Sequence, residues 1–240
     1  DSWDYDEVGI HMLHDTTLDG KTHKVVTHFA RNGFFYTLDR TNGKFLKGAQ
    51  YVNDINWTKG LNPNTGMPLE YDPKLDVQVY QPAARSLRGD GMKKTCPTWH
   101  GGIAHQPTAY NPVKKIAYGG GTEGCFTQNG AEVRYKPGGG DIDEKASDKR
   151  TYTSDLYYGS VTAFDTVNHK VTAKAVTDIE VKSGIVATAG ASASARRSRA
   201  RRSPTRSAAS NISPCKRAAA TCIRSSSTSS NIRAICSCLL

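Results

Sequence analysis

Residues 24–39 read Lys-Val-Val-Thr-His-Phe-Ala-Arg-Asn-Gly-Phe-Phe-Tyr-Thr-Leu-Asp, two runs of strand-forming residues around a polar turn. β-Branched and aromatic residues bounded by Asn and Gly are the composition of a hairpin. Asn32-Gly33 favours a type I′ turn, in which both central residues take positive φ. The stretch therefore predicts strands at 24–29 and 34–39, with Arg31 at the tip. Upstream, Trp3-Asp4-Tyr5-Asp6 places two carboxylates two residues apart on the lead-in to this hairpin. In extended backbone, alternate side chains share a side, so Asp4 and Asp6 can face one way. Spacing alone also allows Asp4, Asp6 and Arg31 to be ordinary surface residues.

Working outward, the β pattern continues. Val8 to Leu13 reads as a strand, followed by a turn at Leu18-Asp19-Gly20-Lys21. A second turn at Thr41-Asn42-Gly43-Lys44 leads to Phe45-Leu46. Short strands between Gly/Asn turns, with no competing helical period, indicate an all-β sandwich or propeller. The run Tyr36-Thr37-Leu38-Asp39-Arg40-Thr41-Asn42-Gly43-Lys44 returns as Thr162-Ala163-Phe164-Asp165-Thr166-Val167-Asn168-His169-Lys170, as a repeat architecture would. Further strands are expected at 115–118, 157–165 and 171–181. Gly119-Gly120-Gly121 lacks the Gly-Lys-Ser/Thr ending of a phosphate loop and reads as a turn between strands. Residues 54–94 and 126–150 are long irregular loops of the kind that carry function. Arg88-Gly89-Asp90 in the first is set aside as a chance adhesion triplet.

The blocks Trp3-Asp4-Tyr5-Asp6, Arg31-Asn32-Gly33-Phe34-Phe35-Tyr36-Thr37-Leu38-Asp39-Arg40-Thr41-Asn42-Gly43, Cys96-Pro97, Gly101-Gly102, Tyr110-Asn111-Pro112 and Cys125 occur in family order. The chain thereby resembles the quinoprotein alcohol dehydrogenases of the methanol, ethanol and lupanine type, from Asp1 to about Gly190. The resemblance implies an all-β, eight-bladed β-propeller, of which residues 1–190 supply about three blades. It also implies a periplasmic enzyme using pyrroloquinoline quinone (PQQ), with the export signal upstream of Asp1. Cytochrome c-type proteins are the implied electron acceptors. By the same resemblance Cys96 and Cys125 form a disulfide, which fits an even cysteine pair in an exported protein. Two buried free thiols are the alternative.

The totals conceal two unlike parts. The chain has 32 basic and 22 acidic residues, net +10. Residues 191–240 hold nine Arg, one Lys and no acid, leaving residues 1–190 at 22 against 22. The basic character thus belongs to the tail, and basic residues interleaved with aromatics, as nucleic-acid binding needs, are missing from the rest. The tail is rich in Ala, Ser and Arg, holds Cys215, Cys222, Cys236 and Cys238, and lacks aromatics. Such a composition cannot repay its ordering entropy and is expected to be disordered. A basic arm and a shifted reading frame near Ala191 both explain it, and the abrupt change of composition favours the shift. No run approaches the ~20 apolar residues of a membrane span.

For chemistry, the resemblance makes Asp4 the base that takes the alcohol hydroxyl proton. Arg31 becomes the cation that hydrogen-bonds the reactive quinone oxygens. Asp4 and Asp6 become ligands of Ca2+ or a lanthanide, the second carboxylate matching the lanthanide pattern and suiting a trivalent ion. A primary alcohol or similar donor is the implied substrate. His100 and His105 flank Gly101-Gly102 and read as structural or surface residues. The family often carries Asn near Ala104; this chain departs there, so that loop receives no cofactor contact. The competing reading is a non-catalytic propeller scaffold, which would have no use for the Asp4/Arg31 pair.

Overall fold

The computed structural model describes residues 3–87, 91–129 and 157–188, and the backbone of 152–154 and 193–195. The Arg88-Gly89-Asp90 triplet, Gly138–Gly140 and most of the tail lie outside the described residues. Four strands, β1 (Met12–Leu18), β2 (Lys21–Phe29), β3 (Phe34–Asp39) and β4 (Phe45–Gln50), form an antiparallel meander in sequence order. Two short strands, β5 (Lys93–Thr95) and β6 (Ala109–Asn111), precede β7 (Ile116–Glu123). After β8 (Phe126–Gln128) and β9 (Tyr152–Ser154) come β10 (Tyr158–Asp165) and β11 (Lys170–Thr177). A second four-stranded sheet has the order β11-β10-β7-β6, and β5-β8-β9 make a small third sheet. Finally β12 (Ile185–Ala187) pairs with β13 (Ala193–Ala195), the latter already inside the Arg/Ser-rich tail. No helix of the described residues is long and apolar enough to cross a membrane.

The repeat read from the sequence is a repeat of geometry. Opposite Thr37 and Leu38 of β3, β4 carries the extra residue Leu46, and opposite Ala163 and Phe164 of β10, β11 carries the extra residue Thr172. In both turns the Asp carboxylate accepts the amide two residues on: Thr41 N to Asp39 Oδ1 and Val167 N to Asp165 Oδ1, each 2.8 Å. The last turn residue is left-handed in both, Gly43 (φ 74°) and His169 (φ 56°). The two sheets thus share a register shift at the same place in the strand and the same Asp turn, as repeated units do.

They stack through aromatic rings. Phe35 lies on Phe164 with centroids 4.1 Å apart and 23° between planes, and Phe29 meets both edge-on. Met12, Tyr51, Val52, Ile103 and Ala117 complete this core. A polar seam runs beside it. Buried Glu123 on β7 accepts from Asn53 N (2.8 Å), Ser160 Oγ (2.9 Å) and Lys174 Nζ (2.5 Å), and Lys174 also reaches Tyr51 O (2.7 Å). A buried charge is tolerable only with such a full set of partners.

Several local expectations differ from the fold, and β8 and β13 fall where an irregular loop and a disordered tail are expected. The first strand begins at Met12 rather than Val8, because residues 3–11 are held by side-chain tethers instead of a partner strand. The left-handed pair that defines a type I′ turn occurs at Asp19 (φ 50°) and Gly20 (φ 78°); at the Arg31 turn only Gly33 (φ 95°) is left-handed. There Gly33 N bonds Ala30 O (3.0 Å) and Ala30 N bonds Phe34 O (2.9 Å), a three-residue loop with a glycine bulge. Gly119-Gly120-Gly121 is no turn but the middle of β7. Added Cβ atoms at Gly119 and Gly121 would lie 2.2 Å from Ile103 Cδ1 and Gly102 O. These glycines therefore admit the neighbouring segment rather than bend the chain.

Burial depresses His14 and His169 to a pKa of about 4. Both are neutral in folded and unfolded chains above the ordinary histidine value of about 6.5. Below it the unfolded chain takes up protons first, so stability should fall with falling pH, by about 1.4 kcal/mol per unit for each histidine, until about pH 4. Urea unfolding across that range is the measurement. Replacing His14→Gln and His169→Asn should flatten the slope, and an unchanged slope would contradict the assignment.

Candidate functional site

The segment 3–7 is pinned on one side and open on the other. Trp3 and Tyr5 are buried while Asp4 and Asp6 are exposed. Trp3 Nε1 donates to Ala84 O and Tyr5 Oη to Pro97 O, both 2.7 Å. Burial pushes the Tyr5 phenol well above its usual pKa, so this hydroxyl stays a donor. The rings of Trp3 and Tyr5 pack on Phe34, Trp57 and Tyr80, an aromatic bed under the segment. At its far end Glu7 Oε1 lies 2.6 Å from Nε2 of buried His28, an ion pair when the imidazole carries both protons, and His28 Nδ1 donates to Ile10 O (3.0 Å). Tethers at 3, 5 and 7 thus leave the side chains of Asp4 and Asp6 exposed, although the backbone at Asp4 is not the extended one that the alternating spacing assumed. Asp4 itself has φ 62°, a conformation Asp tolerates better than most residues.

Arg31 sits at the hairpin tip, yet it is only 8% exposed. Its Nη2 donates to Trp99 O (2.8 Å) and meets Asp4 Oδ2 (3.2 Å), and Nη1 faces Asp6 O at 3.4 Å. Arg31 Nε is buried with no hydrogen-bond acceptor. The turn around it is over-determined. Trp57 Nε1 donates to Asn32 O (2.9 Å), Tyr51 Oη to Ala30 O (2.9 Å), and Gly102 N to Arg31 O (3.0 Å). The structure thereby brings Asp4, Asp6 and Arg31 into one site.

Cys96 and Cys125 are bonded, S–S 2.05 Å. The bridge joins the end of β5 to the turn between β7 and β8, and Asn56 Oδ1 accepts from Cys96 N (2.7 Å). It anchors Cys96 next to Pro97, whose carbonyl receives Tyr5 Oη, and so bears on the acidic segment. His105 is exposed, whereas His100 is half-buried and paired with Glu180. Ala104 is buried, its carbonyl 2.7 Å from where a Cβ on Gly9 would be. It offers no side-chain donor. Sequence reading missed the aromatic bed, the Glu7–His28 tether and the Trp99 carbonyl. The first is signalled by four aromatics at Trp3, Tyr5, Trp57 and Tyr80; a backbone carbonyl leaves no sequence signal.

The donor set suits a hard cation. Asp4 and Asp6 offer oxygen, although no group of three or more His, Cys, Asp or Glu gathers among the described residues. Two outward carboxylates beside a buried, incompletely satisfied guanidinium fit part of a site for a metal and an electron-rich oxygen ligand.

No family model matches the chain. It is 31% identical over 191 residues to the lanthanide-dependent methanol dehydrogenase of Methylacidiphilum fumariolicum (strain SolV), covering 79% of this chain and 30% of that protein. It is 30% identical over 194 residues to the quinoprotein ethanol dehydrogenase of Pseudomonas putida, again 79% of this chain and 30% of the relative. Among solved structures, a europium-containing methanol dehydrogenase superposes with a TM-score of 0.68 at 30% identity, over 81% of this chain and 32% of the other. The chain spans about a third of the length of these relatives, and its sheets are blades of their β-propeller.

Gly101 (φ 71°) closes the pocket around Arg31. A Cβ there would stand 2.4 Å from Arg31 O and 2.7 Å from Arg31 Cβ. At Gly43 (φ 74°) nothing lies within 4 Å. Gly43→Ala should cost only the left-handed penalty, about 1 kcal/mol, and Gly101→Ala roughly 2 kcal/mol more. Urea midpoints decide, and equal losses would show that Gly101 does not shape the Arg31 turn.

Proposed function

This chain is a relative of the quinoprotein alcohol dehydrogenases, and on that premise we propose that it is part of a PQQ-dependent alcohol dehydrogenase. The observation that carries the reading is the meeting of Asp4, Asp6 and buried Arg31 in one constellation. In this reading Asp4 and Asp6 hold a calcium or lanthanide ion, and Arg31 faces the quinone. The lanthanide enzymes among the relatives, together with the second carboxylate at Asp6, favour a trivalent ion. PQQ, when bound, supplies the two-electron acceptor, and the ion a Lewis acid.

The residues of this chain perform the remaining work. Asp4 takes the hydroxyl proton of a primary alcohol or similar donor on its carboxylate oxygen. Arg31, fixed by Trp99 O, presents positive charge without reorganising. Tyr5 and Trp3 hold the acidic segment in place and exclude water from its inner side. A periplasmic location and a cytochrome c-type acceptor belong to the same proposal. The 240-residue chain alone is proposed to be inactive, because it represents about a third of its relatives.

The test uses this segment within a chain that supplies the remaining length of the relatives, loaded with PQQ and either Ca2+ or La3+. Dye-linked alcohol oxidation should fall by at least about 10²-fold on Asp4→Asn, with PQQ still bound by absorbance. The 240-residue chain under the same conditions should give no turnover. Unchanged turnover in Asp4→Asn would remove Asp4 as the base, and turnover by the short chain would overturn its inactivity.

A further inference from the structure

We infer that His100 and Glu180 position Arg31, acting through the Trp99 carbonyl. This rests on the proposed role of Arg31 and adds two residues to it that lie outside the acidic segment. One turn, residues 98–102, grips Arg31 at both ends. Gly102 N binds its main-chain oxygen (3.0 Å) and Trp99 O its Nη2 (2.8 Å). The turn is closed by Gly101 N to Thr98 O (2.6 Å). Where Trp99 O points therefore decides where the guanidinium lies.

The Trp99 side chain is 37% exposed. Its ring rests on the ring of His100, centroids 3.9 Å apart. His100 is anchored in turn: Nδ1 lies 2.7 Å from Glu180 Oε1 and 3.1 Å from Lys182 Nζ. An ammonium can only donate, and one nitrogen cannot both donate to the carboxylate and accept from the lysine. The consistent arrangement is Nδ1–H donating to Glu180, with Lys182 serving Glu180 Oε2 at 3.0 Å. Thr122 Oγ1 adds a 3.3 Å contact to Oε1. Burial raises the Glu180 pKa, but hydrogen bonds from His100 and Lys182 outweigh it and hold the carboxyl below its usual range, so it stays an acceptor. Glu180 is itself fixed, since Val181 N bonds Gly121 O (3.3 Å) and Gln106 Nε2 bonds Val181 O (3.1 Å). The chain of contacts runs from the second sheet, through Glu180 and His100, to the turn that holds Arg31.

The test is nuclear magnetic resonance on the full 240-residue chain, without cofactor. The Arg31 Nε–H signal, identified by its loss in Arg31→Lys, should exchange slowly with water. Glu180→Ala and His100→Ala should each speed that exchange by about tenfold or more, while core amides such as Phe29 and Phe164 keep their rates. Glu180→Gln keeps an acceptor for Nδ1–H and should stay within about twofold of the parent. Unchanged Arg31 exchange in the alanine variants would overturn the inference, as would equal effects of Glu180→Gln and Glu180→Ala. Should a variant unfold, the parent alone still decides: its imidazole 15N spectrum near neutral pH must show His100 protonated at Nδ1. A bare Nδ1 would overturn the inference. None of these readouts requires PQQ or a metal, so a failure of the quinone reading leaves them separately decidable.

Discussion

A guanidinium kept from water must be surrounded by acceptors, and in this chain that requirement falls on Arg31. Leaving such a charge poorly paired costs several kcal/mol. Two separate stretches bring acceptors to the hairpin that carries Arg31, the acidic segment through Asp4 and the Asp6 carbonyl and the 98–102 turn through Trp99 O, while Nε stays without one. None of these stretches could bring the others together by local preference. They converge because each is bolted to something rigid, by aromatic packing at Trp3 and Tyr5, by sheet pairing at β2 and β3, and by the disulfide at Cys96.

That convergence depends on the two four-stranded sheets holding still against each other. Arg31 belongs to the first sheet, whereas its turn partner is attached to the second, since Thr122 N bonds Gly102 O (2.7 Å). A slip between sheets would part the guanidinium from its carbonyl. The Phe35–Phe164 stack resists such a slip by shape, and the Glu123–Lys174 seam resists it by charge. Buried ion pairs often add little net stability, but each has a directional demand. Glu123 takes donors from β10, from β11 and from the loop after β4, and one relative placement of these elements satisfies all of them.

Periodicity and turn residues made much of this fold readable. The hairpin at 24–39 announced itself by composition, and the Asp-containing turns after β3 and β10 were visible as a repeat because identical hydrogen bonding demands similar residues. The acid pair and the arginine were readable too, once several blocks were seen to share a family order. Other features left no such trace. At Asn32-Gly33 a favourable dipeptide pointed to a type I′ turn, but Trp57 and Tyr51 bind the carbonyls of Asn32 and Ala30 and hold a longer loop. Gly119-Gly120-Gly121 looked like a turn because glycine serves both flexibility and close approach, and only the neighbouring Ile103 and Gly102 tell which. His100 read as a structural or surface residue, since its partner Glu180 lies eighty residues away.

The departure at Ala104 acquires meaning from the same geometry. Ala104 is buried, and its carbonyl approaches Gly9, just beyond the acidic segment. A larger side chain at Gly9 would push that segment off His28 as well, because His28 Cε1 lies 2.8 Å from the same Cβ position. Small residues at 9 and 104 thus let the acidic segment settle close to the end of β2, where Glu7 reaches His28.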